Sequence, residues 1–150
     1  MMKLTVGILA AATLAAQTVP LGEVVERVTV RDQPGQSYAM YAPSNYSREH
    51  AWPILYCLDP GARGRVPVER FAQAAEKAGF LVAGSNNSRN GPLGPSQEAI
   101  GLMVADTHER FSIDDSRWYA AGLSGGSRLA LAWAVGQNGQ NTALIEHYCP

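Results

Sequence analysis

The sequence predicts an α/β fold, a mostly parallel sheet flanked by helices, on three observations. Residues 52–58, WPILYCL, are a continuous apolar run of the kind that fills a strand covered on both faces. Helix-forming segments alternate with such strands, as a parallel sheet with crossover helices requires. Residues 118–127, WYAAGLSGGS, pass from an apolar strand through a Gly-x-Ser-x-Gly turn into a further helix-forming segment.

Residues 1–16 stand apart from that fold. Met1, Met2 and Lys3 precede an uncharged run over residues 4–16, the short cationic start and apolar core of a secretory signal, with cleavage fitting near Ala15 or Ala16. The run is shorter than the roughly 20 apolar residues that span a bilayer, and no cysteine follows it to take a lipid. The sequence is therefore read as a signal peptide (1–16) and one exported domain (17–150), periplasmic or extracellular; a buried first helix is the other reading of the run. With 46% hydrophobic residues the chain is long enough for a core. Its 12 basic and 13 acidic residues are interspersed, net charge −1, which gives no footing for nucleic acid, and after signal cleavage none for a membrane.

Taken in order, residues 23–31 alternate Val28 and Val30 with polar residues and read as a first strand. Residues 32–35, DQPG, turn the chain into a second strand over 36–41, antiparallel because the connection is short. Residues 42–47 break regularity, and their aromatic side chain is expected to pack. The apolar strand 52–58 ends in a Gly-rich loop, 59–65. A helix over 66–78 follows, with Pro67 near its first position and Gly79 just past its end. Residues 80–84 are the next buried strand, and the polar loop 85–95 is a rim for a cleft. A helix over 96–111, capped by Ser96, turns Ile100, Val104 and Phe111 inward and puts Asp106, His108, Glu109 and Arg110 on a solvated face. Residues 112–117 turn into a strand over 117–121, and a helix covers 127–135. Residues 136–141 are a loop, and 142–148 a last strand or a tail.

The turn around Ser124 carries the chemistry. A serine hydroxyl is a weak nucleophile until a base takes its proton, and the oxyanion it creates needs fixed N–H donors. In a strand–turn–helix context Gly122 and Gly126 allow the tight backbone, Ser124 is exposed at the helix start, and the Gly125 N–H points at the developing oxyanion. In an open α/β sheet the loops at the carboxyl ends of strands build the site, so a second donor is expected from the loop after residue 58. Pro60 has no N–H, which leaves Gly61 or Ala62. A solvated Gly-rich turn is the plainer reading of each of these loops. His108 precedes the serine and sits among charges, which is the wrong place for its base. Cys57 reads as a buried thiol, a bridge to Cys149 being left open, and no cluster has metal-ligand spacing, so no metal or other cofactor is expected.

Residues 37–46 (SYAMYAPSNY), 54–61 (ILYCLDPG) and 113–126 (IDDSRWYAAGLSGG) together resemble the N-terminal half of a secreted α/β-hydrolase, in the neighbourhood of polyhydroxybutyrate depolymerases and feruloyl-type esterases. The resemblance implies that Ser124 is the nucleophile, that Gly125 supplies one oxyanion N–H, and that Gly61 falls where the family places the other. The chain departs from the family in having Asp59 and Pro60 where His-Gly is usual. It departs further after the serine. In this architecture the acid and then the histidine follow the nucleophile, yet residues 125–150 hold only Glu146 and His147, adjacent and unable to form a relay to Ser124.

The expectation is thus an α/β-hydrolase-like sheet truncated after the nucleophile-elbow helix, with strands in the order one, two, four, three, five. The strand 117–121 is outermost unless 142–148 pairs beside it, and an exposed edge there favours self-association. Two functions remain open. One is a serine esterase by lineage, acting on a small-molecule or polymer ester and lacking its acid and base. The other is a non-catalytic exported binding or interaction domain that keeps the elbow.

Overall fold

The computed structural model describes residues 17–136 and the backbone of residues 142–147. The leader expected over residues 1–16, Cys149 and residues 137–141 of the expected loop lie outside them.

Two strands open the fold as an antiparallel hairpin, β1 (Val24–Val30) and β2 (Gln33–Tyr41). The turn is tighter than the DQPG segment suggests. Val30 pairs with Gln33, and Asp32 takes φ 60°, a conformation that an Asp side chain tolerates. Pro34 and Gly35 lie in β2, where the strand overhangs its other neighbour, so the missing proline N–H breaks no ladder bond on that side.

The apolar run folds as β3 (Trp52–Leu58), followed by α1 (Arg65–Ala78), β4 (Leu81–Ser85), α2 (Leu93–Arg110), β5 (Ile113–Leu123), α3 (Gly125–Gly136) and β6 (Thr142–His147). The six strands form one sheet in the order β1-β2-β4-β3-β5-β6. β4 pairs antiparallel with β2, and β3 is parallel to β4 and β5. The order expected for the first five strands is the observed one, and β6 pairs parallel along the outer side of β5. Of the two alternatives left for the outer side of β5, the structure has the paired one, with β6 along it.

Alternation along the strands divides the core between two faces. Tyr38, Met40, Ile54, Tyr56, Leu58, Ala83 and Ala120 point to one face, which α2 covers with Ile100 and Met103 and α3 with Leu129 and Trp133. Ala39, Tyr41, Leu55, Cys57, Val82 and Ala121 point to the other, covered by Val68 and Ala75 of α1. Cys57 is buried and free, as read, and burial pushes its thiol pKa far up, so it is inert. Tyr46 packs against Trp52 and Phe111, in keeping with a packing role.

Three local readings are corrected. α2 begins at Leu93 after Pro92, one turn earlier than the Ser96 cap predicts. Ser96 instead accepts the Arg89 N–H through Oγ (3.1 Å) and donates to the Arg89 carbonyl (3.0 Å), tying the preceding loop to the helix. Residues 113–117 belong to β5: Asp114 accepts from the Ser116 N–H and the Arg117 guanidinium, and this turn chemistry makes a bulge inside the strand. The charged face of α2 is not all solvated. Asp106 is buried, accepting the Tyr38 hydroxyl (2.7 Å), the Arg110 Nε (2.6 Å) and the Arg31 N–H (3.0 Å), because α2 lies over the β1–β2 hairpin.

Candidate active site

β5 passes into α3 through one residue, Ser124, which is exposed and holds φ 51°. A serine in this left-handed region is strained by about 1–3 kcal/mol and persists only where its surroundings leave no alternative. Close packing supplies that constraint. A Cβ on Gly122 would lie 2.3 Å from the Gly126 carbonyl, and one on Gly126 would lie 2.1 Å from the Leu58 oxygen. Only glycines let the start of α3 sit against the carboxyl ends of β5 and β3. Ser127, whose part the sequence does not signal, closes the turn: its Oγ donates to the Gly122 carbonyl (2.7 Å) and its N–H to that of Ser124 (3.0 Å).

The loop after β3 lies on the neighbouring strand, since Leu58 is opposite Gly122 in parallel register. Gly61 and Ala62 are therefore at the expected end of the sheet. Their N–H groups, however, serve the loop itself. Gly61 donates to Asp59 Oδ1 (2.7 Å) and Ala62 to the Asp59 carbonyl (3.2 Å). The reason is Asp59, which is fully buried and needs donors: Arg63 completes them with Nε to Oδ1 (2.9 Å) and Nη2 to Oδ2 (3.0 Å). Burial alone would raise the Asp59 pKa, but the Arg63 guanidinium and the Gly61 N–H outweigh it and hold the carboxyl below its usual range. The Asp59–Arg63 spacing of four residues is the one signal of this clamp in the sequence.

A second loop, after β4, meets the first. Asn90 donates its N–H to the Pro60 carbonyl (2.9 Å), Gly61 and Arg89 form an isolated bridge, and Asn86 accepts the Gly64 N–H (3.1 Å). The Asn90 side chain lies over Gly125, where an added Cβ would stand 1.9 Å from its Oδ1. Between this loop and α3 opens a cavity of about 440 Å³, lined by Arg89, Asn90, Leu93, Gly125, Arg128 and Leu129 among others. Residues of the segment expected to rim a cleft thus line one beside Ser124. A smaller apolar cavity of about 250 Å³ lies under the turn on the α1 side, between Leu58, Phe71 and Leu123.

Neither described histidine side chain is near the serine. His108 is held by the Val104 carbonyl (2.7 Å) and Asp115 (3.2 Å) and packs at a tilt against Trp118, which is six strand residues from Ser124, about 20 Å. His50 stacks on Trp52 at the opposite end of β3. Glu146 and His147 are consecutive residues of β6, opposite Gly122 and Leu123.

No family model matches the chain, and no curated protein matches it in sequence. Solved structures do. An acetyl xylan esterase from Aspergillus awamori superimposes with a TM-score of 0.61 at 19% identity, over 81% of this chain and 49% of the esterase. The esterase LipW from Mycobacterium marinum gives 0.59 at 17% identity, over 85% and 44%. The poly(3-hydroxybutyrate) depolymerase LpqC from Bordetella parapertussis gives 0.57 at 14% identity, over 73% and 44%. The chain spans less than half the length of each of the three. Likeness at such identities is one of fold alone: the chain has an α/β-hydrolase-like mixed sheet flanked by helices, matching about half of each of these structures.

Proposed function

We propose that the chain carries the nucleophile region of a serine hydrolase that cleaves carboxylic esters, small or polymeric, through an acyl-enzyme. The observation that supports this most is Ser124, an exposed non-glycine residue at φ 51° between β5 and α3. Its Oγ attacks the ester carbonyl carbon while a base takes its proton. The carbonyl oxygen becomes an oxyanion facing the Gly125 N–H, which, in the first turn of α3, has no intrahelical acceptor. Collapse expels the alcohol, and water then releases the acid from Ser124. The base and the acid that orients it come from outside residues 17–136. The leader-like residues 1–16 support export of the protein.

A second reading rests on the loop after β3. With the Gly61 and Ala62 N–H groups both donating to Asp59, Gly125 is left as the single donor, and a missing second donor costs about 10²–10³ in rate. That engagement favours a non-catalytic exported binding or interaction domain that keeps the serine turn. Hydrolysis of p-nitrophenyl acetate separates the two. The esterase reading expects at most a trace rate, about 10³–10⁴ over water, together with an acetyl group on Ser124, seen by mass spectrometry, that Ser124→Ala lacks. No acetylation of Ser124 would leave the binding domain standing, whereas robust turnover lost in Ser124→Ala would put a base within these 150 residues.

A further inference from the structure

The cavity between the loop after β4 and α3 is lined by two arginines and by no carboxylate. Among the described residues five arginines are in ion pairs, Arg31 with Glu109, Arg63 with Asp59, Arg65 with Glu26 and Glu69, Arg110 with Asp106, and Arg117 with Asp114, while Arg27, Arg48 and Arg70 are in none but stand apart from this cavity. Arg89 and Arg128, which both line this cavity, are in none among the described residues, and no carboxylate lines it. Arg128 also stands in the first turn of α3, where the helix dipole disfavours a cation and no acidic residue offsets it. An anion in the cavity would answer both guanidinium groups and the dipole together.

The loop is built to hold one. Ser96 fixes the Arg89 backbone at its N–H and its carbonyl, Asn90 is bonded to Pro60, and the Asn90 amide lies over Gly125. Leu93 and Leu129 give the cavity an apolar part, and Gly125 places it beside Ser124. From this geometry we propose that Arg89 and Arg128 are specificity residues for an anionic substrate, an ester with a free carboxylate a few bonds from the carbonyl that Ser124 attacks. The assignment of Ser124 as nucleophile is taken from the hydrolase reading; the anion site itself does not need it.

The experiment uses the full chain and reads binding and rate separately. Glutarate and its neutral diamide are titrated into wild type, Ser124→Ala, Arg89→Gln and Arg128→Gln. The initial rates of p-nitrophenyl acetate and mono-p-nitrophenyl glutarate are then compared. Glutarate is expected to bind wild type and Ser124→Ala alike and the diamide not at all. Either arginine substitution weakens glutarate binding about tenfold, the worth of one charge-assisted hydrogen bond, and added salt weakens it further. The preference for the glutarate ester over the acetate falls in the same two variants. Both arginines are exposed, so their loss tests the site and leaves the core intact. Arginine-dependent glutarate binding with no acylation of Ser124 by either ester would uphold the anion site and remove the hydrolase reading. Ser124-dependent acetate hydrolysis with no glutarate binding, or with the diamide bound equally well, would uphold the hydrolase and overturn this proposal.

Discussion

At Ser124 the backbone conformation is imposed by its neighbours, and the neighbours that matter are glycines. A methyl group on Gly122 or Gly126 has no space, since each would meet main-chain atoms at 2.1–2.3 Å that cannot swing aside. Gly122→Ala and Gly126→Ala are therefore expected to cost about 3 kcal/mol or more, at the upper end of overpacking effects, and to open the turn. Gly101 is the contrast: it is exposed within α2, and a Cβ there meets nothing within 4 Å. Gly101→Ala should stabilise the protein by about 0.5–1 kcal/mol through helix propensity. Urea midpoints of the three variants check both statements, and a Gly122→Ala protein as stable as wild type would mean that α3 does not start against β5.

At the scale of elements, one buried ionic cluster fastens α2 to the opening hairpin. Asp106 takes donors from β2 through Tyr38, from the hairpin turn through Arg31 and from its own helix through Arg110, whose Nη2 reaches the Thr29 carbonyl at 3.0 Å. Removing one partner leaves a buried charge without compensation, so Asp106→Ala should lose about 3–5 kcal/mol in a denaturant melt. The cluster also sets an acid limit. Burial would raise the Asp106 pKa, but Arg110, the Arg31 N–H and the Tyr38 hydroxyl together hold it below the usual range, as Arg63 and Gly61 do for Asp59. A carboxylate depressed in the folded state contributes fully above its unfolded pKa of about 3.9 and loses that contribution as pH falls through the lower folded value. Stability is expected to be flat in these groups from pH 6 to about 4 and to drop below it. A melt series that shows no acid loss in wild type, or the same loss in Asp106→Asn, would remove Asp106 from this role.

For the whole molecule the decisive contact is β6 along β5. An apolar strand without a partner on one side exposes a row of N–H and C=O groups that recruits other chains. β6 satisfies that row over residues 118–123, so among the described residues the edge strands of the sheet are β1 and β6. A chain ending at residue 136 should self-associate at micromolar concentration in sedimentation, more strongly than the 150-residue chain. Equal sedimentation of the two would show that β6 does not protect the edge in solution.

The sequence by itself determined the sheet and the turn at its centre, because both rest on local steric rules. A run such as residues 52–58 can be satisfied only by burial on both faces, and glycines two residues either side of a serine, between strand and helix, leave one way for the backbone to go. The order of the first five strands was implied by the resemblance to the α/β-hydrolases and is the one observed. Only the tertiary structure decided where the polar groups find their partners. Asp106 reads as solvated until α2 lies over Tyr38, 68 residues away in sequence. The Gly61 N–H reads as free until Asp59 is buried and takes it, and Arg89 and Arg128 become one cavity wall only when the loop after β4 meets α3. Apolar periodicity is written along the chain, whereas a buried charge is answered by whichever donor the packing brings within about 3 Å, and no local pattern records that choice.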